Sequence, residues 1–243
     1  MKSTKVLTTD ITRIDINSLA NFLIEEKKKK IVFCNVNVVV RSKKDTNIMN
    51  VVKSFDIKAP DGFPIVKALN ILTKNNFKRT DGYNTFIKTI EKGLESKTRH
   101  YFFGNSNEVN EMLVQKLTKT YPKIVIAGSF APEINSVENL VKNYKEVIES
   151  LETDIIWVSL GFPKQEIFID SIDFKSTDAN IVGVGAVFEW VAKTKYKAPE
   201  FLAEIGLEWI FRLVQEPKRL FKRYFVDNTL FIYYFLKQLI FER

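Results

Sequence analysis

Cysteine and histidine are almost absent from the sequence, which has one residue of each type among 243. The single cysteine, Cys34, excludes a disulfide within the chain and is compatible with a reducing compartment. One cysteine and one histidine together exclude a zinc site built from these residue types. A Ser-His-Asp triad would have to use His100, which starts a predicted strand and has no nucleophile-elbow motif beside it, so we do not expect a serine hydrolase.

Long apolar runs are missing as well. No stretch approaches the roughly 20 apolar residues that a membrane-spanning helix needs. The segment MKSTKVLTTDITRID (1–15) contains no apolar core of a signal peptide. We therefore expect a cytoplasmic protein.

Several ligand-binding motifs are also absent. The sequence has no Walker A loop and no Asp-x-Asp pair, the short acidic motif with which many sugar-nucleotide enzymes hold a divalent metal. The segment GVGAVFEW (183–190) places Gly185 and a second glycine after a strand. However, Phe188 stands where a dinucleotide-binding fingerprint has its third glycine. We expect neither a metal nor a nicotinamide cofactor.

Positive charge is in excess, with a net charge of +8. Such an excess suggests a polyanionic partner: nucleic acid, an anionic membrane surface or a phosphorylated substrate. The sign of the charge does not choose among them. No recognised nucleic-acid-binding module is present, so we expect no nucleic-acid partner.

Alternating strand and helix patterns predict an α/β fold. Apolar runs rich in β-branched residues predict buried strands at 30–40, 100–104, 123–129, 154–161 and 180–188. Helical periodicity at 107–121 and 134–151 lies between them, which implies a mostly parallel sheet with helices on its faces. Ligands bind such sheets at the carboxyl ends of the strands.

The pattern changes near residue 196, where strand signals stop and helices with aromatic-rich faces follow one another. We predict an α/β core at 1–195 and a helical appendage at 196–243. Pro217 should begin a new helix, because proline is tolerated in the first turn of a helix but not in its interior.

One predicted helix start supplies candidate nucleotide-binding residues. In SLGFPKQE (159–166), Gly161 follows a strand, and Lys164 and Gln165 lie in the first turn of a helix. Free backbone N–H groups and the helix dipole favour a phosphate there. Ordinary helix capping is the alternative interpretation.

Two further segments contain acidic residues at the start of a predicted helix. In APDGFPIVKALN (59–70), Asp61 is either part of a cap and turn or a general base at the mouth of the sheet. In KRTDGYNTF (78–86), Asp81 would cap a helix, whereas Arg79 could face a phosphate.

The C-terminal segment combines cations and aromatic residues. Between 212 and 223 it has five cations and one acid. Arg212, Arg219 and Arg223 would share a face of a continuous helix, although Pro217 argues against continuity. The apolar residues 229–241 would form a helix of roughly 20 Å, shorter than a hydrocarbon core of about 30 Å. We expect this segment to lie on an anionic membrane surface or to pack on a partner; a core-packing helix with solvated cations is the alternative.

The order of these motifs resembles that of a known family. DG-x-P, R-x-x-G, FFG, YP-x-I-x-x-AG, LG-x-PKQE, G-x-GA-x-F and GLEWI-x-RL-x-QEP-x-R follow one another. Together they resemble the WecG/TagA/CpsF glycosyltransferases over about residues 6–230, and PKQE and the last block are the most specific.

The resemblance implies an inverting, metal-independent transfer from a UDP-sugar, typically UDP-N-acetylmannosamine, to an undecaprenyl-diphosphate-linked GlcNAc in cell-surface polysaccharide synthesis. It also implies Rossmann-like parallel sheets of the type called GT-E. The helical appendage would dock peripherally on the inner face of the cell membrane. Arg212, Arg219 and Arg223 would then meet diphosphate oxygens.

The resemblance also implies roles for individual residues. Asp61 corresponds to the candidate general base, and Asn35 to the asparagine of the first-strand motif. Arg79 and Gln165 fall at site positions of the family. We assign Gln165, with Lys164, Gly161 and Gly185, to nucleotide-sugar binding.

One position departs from the family pattern. The family usually has threonine two residues before the first-strand asparagine, and this chain has Phe33. A hydroxyl near the sugar is therefore lost, which leaves the donor open. It also motivates an alternative, a membrane-surface binding module that keeps the fold but is catalytically impaired. An exposed appendage face could also pair subunits, so a homo-oligomer stays open.

Overall fold

Residues 1–133, 136–174 and 177–241 are described by the structure, a computed structural model, except for the side chains of Arg219, Lys222 and Arg223. The strands are β1 (Ser3–Val6), β2 (Thr9–Thr12), β3 (Lys30–Cys34), β4 (Ile57–Pro60), β5 (Arg99–Gly104), β6 (Val125–Phe130), β7 (Ile155–Ser159) and β8 (Asn180–Gly183). The helices of the first 195 residues are α1 (Ile16–Glu25), α2 (Val36–Lys44), α3 (Thr46–Lys53), α4 (Phe63–Thr73), α5 (Gly82–Ser96), α6 (Asn107–Thr120), α7 (Val137–Glu149), α8 (Lys164–Ser171) and α9 (Val187–Ala192). Three more follow: α10 (Glu200–Glu204), α11 (Glu208–Gln215) and α12 (Pro217–Phe241).

A six-stranded parallel sheet organises these elements, with the strand order β4-β3-β8-β7-β5-β6. Strands β1 and β2 form a separate antiparallel pair. Successive side chains of a strand point to opposite faces of the sheet. Accordingly, Ile156 and Val158 of β7 join one hydrophobic cluster, whereas Ile155 and Trp157 join another. The predicted α/β class with a mostly parallel sheet is confirmed.

The predicted strand 30–40 is wrong beyond Cys34. The chain leaves the sheet at Asn35, whose side-chain oxygen accepts hydrogen bonds from the backbone N–H groups of Asn37 and Val38. This is an N-cap, and it starts α2 within a run of valines. Burial of those valines outweighs their modest preference for strands over helices.

Two other predicted strands also end earlier than expected. The strand predicted at 154–161 stops at Ser159, and the one predicted at 180–188 stops at Gly183. In the second case the apolar residues from Val187 onward belong to α9, because the apolar run crosses a turn between a strand and a helix. The helix predicted at 134–151 begins at Val137, and residues 134–135 lie outside the described part of the chain.

The C-terminal helices pack on the rest of the molecule. Pro217 begins α12, as predicted, and separates it from α11. Helix α12 packs against α2, and its residues Phe231 and Phe235 belong to the hydrophobic core. Near its end, Gln238 accepts a hydrogen bond from the backbone N–H of Leu7 at 2.8 Å and donates one to the carbonyl of Lys5 at 3.0 Å. The core-packing alternative therefore holds for the inner face of α12. The domain boundary near 196 stays a prediction.

The outer face of α12 is apolar and exposed. The exposed large side chains of this helix are Phe221, Phe225, Val226, Ile232, Tyr233, Leu236, Ile240 and Phe241. Within the described residues, no helix combines the length and apolar character that crossing a membrane requires. Helix α12 thus has two apolar faces, and the remainder of the chain covers one of them.

The two faces of α12 should differ in their contribution to stability. Phe231 is 3% exposed and Phe225 is 52% exposed on the same helix. We expect Phe231→Ala to lower the free energy of unfolding by about 3–5 kcal/mol, because it leaves a cavity in the core. Phe225→Ala should cost less than about 1 kcal/mol. Urea denaturation followed by circular dichroism measures both values, and an equally small loss for the two variants would contradict the packing of α12 on the core.

Candidate active site

The candidate active site lies at the carboxyl ends of the parallel strands. Asn35 directly follows β3, Asp61 follows β4, and Gly185 lies two residues beyond β8. All strands of the sheet run in the same direction, so these residues meet at one edge. Two neighbouring cavities open there, and they share part of one wall.

The larger cavity has a volume of about 360 Å³. Seven predicted residues line it: Asn35, Asp61, Arg79, Gly161, Gln165, Gly185 and Arg212. Lys164 is the first residue of α8 and is not among the lining residues of either cavity. The structure thus brings together the predicted residues of the sheet edge but does not place Lys164 with them.

The smaller cavity has a volume of about 110 Å³ and lies beside the first. Asn35, Asp61, Arg79, Glu208 and Arg212 line both cavities. The C-terminal helices provide further lining residues of the smaller cavity, namely Trp209, Tyr224, Asp227 and Asn228. The site is therefore built jointly by the parallel sheet and the helices that follow residue 196.

The carboxylate of Asp61 belongs to the wall that both cavities share. Gly62 is the N-cap position of α4, and no side chain caps that helix, so Asp61 does not serve as a cap. Its Oδ1 accepts a hydrogen bond from Arg79 Nε at 3.1 Å. Burial raises the pKa of Asp61 to about 6, while the Arg79 guanidinium acts in the opposite direction. With 23% of its side chain exposed, Asp61 can be reached from the cavities.

Arg79 is surrounded by three carboxylates. Its Nε binds Asp61, its Nη1 binds Glu208 of α11, and its Nη2 lies 3.8 Å from Asp81 Oδ1. These carboxylates together raise its pKa against the effect of burial. Asp81 also caps α5 by accepting the backbone N–H of Asn84 at 3.0 Å, which confirms the predicted cap. In this structure Arg79 is thus held by protein carboxylates at the site where the sequence predicts a phosphate contact.

Gln165 holds the turn after β8 against the start of α8. Its Oε1 accepts the backbone N–H of Gly185 at 2.9 Å, and its Nε2 donates to Glu166 Oε1 at 3.0 Å. A Cβ atom at Gly183 would lie 2.4 Å from Gln165 Nε2, so the strand can approach this side chain only with glycine there. Gln165 therefore positions two of the segments that line the larger cavity.

Arg212 lies where the C-terminal helices meet the larger cavity. Its guanidinium carbon is 5.4 Å from the ring centre of Trp190, within the range of a cation–π contact. Lys195 supports this region by bridging Glu189 at 2.8 Å and Glu216 at 2.6 Å. The side chains of Arg219 and Arg223 lie outside the described residues, so their predicted contacts stay predictions.

Phe33 takes part in both the core and the site. It is 8% exposed, belongs to a hydrophobic cluster and lines the larger cavity. A Cβ atom at Gly82 would lie 3.4 Å from its ring, so Gly82 leaves space for this large side chain. The ring thus contributes apolar surface to the cavity wall.

Sequence reasoning missed the site residues Glu208 and Asp227. Glu208 binds Arg79, and Asp227 Oδ2 accepts a hydrogen bond from Asn37 Nδ2 at 2.5 Å. Both are acidic residues of basic, aromatic helices, and both face inward. Glu208 stands inside the specific GLEWI block, a signal that could have marked it.

Negative charge predominates among the lining residues of the larger cavity. Asp61, Asp81, Glu166, Glu189 and Glu208 face three cations, Arg79, Lys195 and Arg212. A phosphate-bearing ligand would therefore need backbone N–H groups or further cations beyond those lining the described cavity. No group of three or more His, Cys, Asp or Glu side chains that could hold a metal ion occurs in the described part of the chain.

His100 lies in β5 and is not among the lining residues of the two cavities. Its Nδ1 accepts a hydrogen bond from Trp157 Nε1 at 3.1 Å, and the residue is buried. Burial lowers the pKa of His100 to about 4, so the imidazole is neutral at pH 7. This placement agrees with the expectation that no Ser-His-Asp triad is present.

Known proteins resemble this chain over most of its length. A model of the glycosyl transferase WecG/TagA/CpsF family matches residues 4–243. The N-acetylglucosaminyldiphosphoundecaprenol N-acetyl-beta-D-mannosaminyltransferase of Bacillus spizizenii is 28% identical over 201 residues, which cover 82% of this chain and 76% of that protein. The protein of the same name from Bacillus subtilis strain 168 is 27% identical over 206 residues, covering 84% and 78%. Its namesake from Staphylococcus aureus strain MRSA252 is 29% identical over 160 residues, covering 66% and 61%. Because the family match spans nearly the whole sequence, the chain belongs to the glycosyl transferase WecG/TagA/CpsF family.

Proposed function

We propose that the protein transfers a sugar, N-acetylmannosamine or a related hexose, from a UDP-sugar to a sugar linked to undecaprenyl diphosphate, with inversion at the anomeric carbon. The product would serve cell-surface polysaccharide synthesis. The observation that carries the proposal is the position of Asp61, a carboxylate of raised pKa in the wall shared by two cavities. The names of the curated relatives support the acceptor class.

The proposed reaction is a single displacement. An acceptor hydroxyl oxygen forms a bond to the anomeric carbon while the bond from that carbon to the UDP oxygen breaks. The bonding electrons leave with UDP, and the hydroxyl proton passes to the Asp61 carboxylate. A base with a pKa near 6 is ionised at pH 7 and is stronger than an ordinary aspartate, so it suits this role.

The larger cavity suits the donor. Residues of the segments after β7 and β8 line it, at the start of α8 and α9. Helix N-termini and glycine-rich turns favour phosphate oxygens. The negative balance of the described lining, which already includes Arg212, is a reason to expect Arg219 and Arg223 to complete the diphosphate site.

The exposed apolar face of α12 suits the surface of a membrane. Aromatic and aliphatic side chains are exposed there, and cations precede them in the same helix. Helices of this kind lie in the plane of an anionic membrane surface. We propose that α12 holds the protein peripherally on the inner face of the membrane, where a lipid-linked acceptor is presented.

The proposed chemistry makes Asp61 indispensable to turnover. With a UDP-sugar donor and a GlcNAc-diphosphate acceptor carrying a short isoprenoid chain, Asp61→Asn should lower kcat by about 10²–10⁴-fold, since a general base contributes that much. UDP release coupled to a colour reaction measures the rate. Asp10→Asn, a substitution of an exposed residue of β2, serves as the matched control and should leave kcat unchanged. Absence of turnover in the wild-type protein with all UDP-sugars would favour the catalytically impaired binding module.

The same substitution should not destabilise the fold. The pKa of Asp61 is higher in the folded protein, at about 6, than its ordinary value of 3.8. The folded state therefore binds the proton more tightly than the unfolded chain, and stability falls as pH rises from about 4 to 6. Ionisation of Asp61 therefore lowers the free energy of unfolding by about 3 kcal/mol at pH 7.5. We expect Asp61→Asn to unfold at an equal or higher temperature than wild type at that pH, and a lower melting temperature would contradict the raised pKa.

Glu208 should help to set the pH dependence of the reaction. Its carboxylate, like that of Asp81, raises the pKa of Asp61, while Arg79 and Arg212 lower it. In Glu208→Gln the Asp61 carboxylate would face Arg79 with less competition, so the acid limb of kcat/KM against pH should move below about 6. Glu189→Gln is the control, because Glu189 lines the same cavity but pairs with Lys195. If both variants keep the wild-type midpoint, Glu208 has no part in tuning the base.

Membrane binding should depend on the outer face of α12. Leu236 and Ile240 are 54% and 69% exposed. Replacing both with serine should weaken co-sedimentation with anionic phospholipid vesicles at least about tenfold, since burial of each apolar side chain is worth roughly 1.5–3 kcal/mol. Ile71→Ser, at a residue of α4 that is also 54% exposed, should have no such effect. An equal loss of vesicle binding in the Leu236/Ile240 double variant and in Ile71→Ser would mean that α12 does not provide the membrane-binding face.

A further inference from the structure

The smaller and the larger cavity are neighbours that share five lining residues, Asp61 among them. In a single displacement with inversion, the attacking hydroxyl approaches the anomeric carbon from the side opposite the leaving group. The general base must lie on the side of the hydroxyl. Asp61 lines both cavities. When the donor occupies the larger cavity, an acceptor hydroxyl in the smaller cavity can reach both the anomeric carbon and the Asp61 carboxylate.

The lining of the smaller cavity suits a ring that has both apolar and hydroxyl-bearing faces. Phe63, Trp209 and Tyr224 provide aromatic surface, and the last two rings meet edge to face at 6.0 Å. Such rings pack against the C–H groups of a pyranose, while a few fixed polar groups select its hydroxyls. The polar groups here include amides, carboxylates and the guanidinium groups of Arg79 and Arg212, all of which can hydrogen-bond to hydroxyls.

The polar side chains of Asn37, Asp227 and Asn228 differ in their freedom to bind a ligand. Asn37 Nδ2 donates to Asp227 Oδ2, and both residues are buried, so this pair joins α2 to α12 and fixes the floor of the cavity. Asn228, the next residue, is half-buried and lines the cavity. Among the described residues its side-chain amide has no hydrogen-bond partner. An amide of this kind can both donate to and accept from a sugar hydroxyl.

From these observations we infer that the smaller cavity is the acceptor subsite, which takes the pyranose ring of the lipid-linked acceptor, with Asn228 as a residue that binds one of its hydroxyls. The inference rests on the proposed function and specifies where its second substrate lies. Because α11 and α12 provide six of the sixteen residues of this lining, the part of the chain proposed to contact the membrane also helps to hold the sugar presented at the membrane.

The test compares acceptor and donor parameters of one variant. Asn228→Leu keeps the approximate shape of the side chain and removes its hydrogen-bonding capacity. We expect it to raise the KM for GlcNAc-diphosphate carrying a short isoprenoid chain about three- to tenfold, the effect of one uncharged hydrogen bond. The Kd for UDP, measured by titration calorimetry, should stay within twofold of wild type. Asn143→Leu, at an exposed position of α7, is the matched control and should change neither value.

The outcomes separate this inference from the proposed function. An acceptor KM that stays at the wild-type value in Asn228→Leu, while wild type turns over normally, would overturn the acceptor subsite and leave the transferase proposal standing. A variant that loses UDP affinity in parallel would place Asn228 at the donor and would also overturn it. A wild-type protein that binds UDP but transfers no sugar to any lipid-linked acceptor would contradict both the proposed function and the acceptor subsite. A melting temperature equal to that of wild type excludes misfolding as the cause of a raised KM.

Discussion

The interaction on which the site depends is the contact of Arg79 with carboxylates from two distant parts of the chain. Asp61 comes from the end of β4, and Glu208 comes from α11, more than a hundred residues later. One guanidinium cannot neutralise two carboxylates and Asp81 as well, so negative charge stays in excess around Asp61. Burial holds the pKa of Asp61 near 6 rather than below 4; Arg79 opposes this rise, and the carboxylates of Asp81 and Glu208 support it. Seating of the C-terminal helices and the strength of the proposed base are therefore linked.

The part of the site at the edge of the sheet could be predicted from the sequence mainly because the strands of the sheet are parallel. Once strands β3, β7 and β8 are recognised, the residues after them must meet at one edge, whatever the details of packing. The sequence pattern predicts no strand at β4 and extends β3 past Asn35, so the roles of Asp61 and Asn35 rest on the family resemblance. The parallel arrangement of the strands explains why Asn35, Asp61, Gln165 and Gly185 line one cavity. Lys164 shows the limit of this reasoning, because a position in the first turn of a helix does not fix the side of the helix that a side chain faces.

The incorrect and missing predictions have a common physical cause. The local spacing of residues does not determine which tertiary contacts they make. A run of valines after Asn35 has the composition of a strand, yet the asparagine cap and burial on α12 make it a helix. Glu208 and Asp227 look like ordinary surface acids of amphipathic helices, and only the folded chain turns them towards Arg79 and Asn37. The Asn35 cap has a second effect, since it places that side chain in the wall shared by the two cavities.

Helix α12 connects the candidate site with the surface that is proposed to bind the membrane. Its inner face contains Phe231 and Phe235 of the core, and in its first half Tyr224 and Asp227 line the smaller cavity. Its outer face exposes apolar side chains from Phe221 to Phe241. A rigid helix cannot shift against a lipid surface without moving the residues on its other side. If the outer face docks on the bilayer as proposed, docking and the geometry of the smaller cavity are mechanically connected, and the energy of membrane contact can favour one arrangement of Trp209, Asn228 and Glu208 around the proposed acceptor subsite.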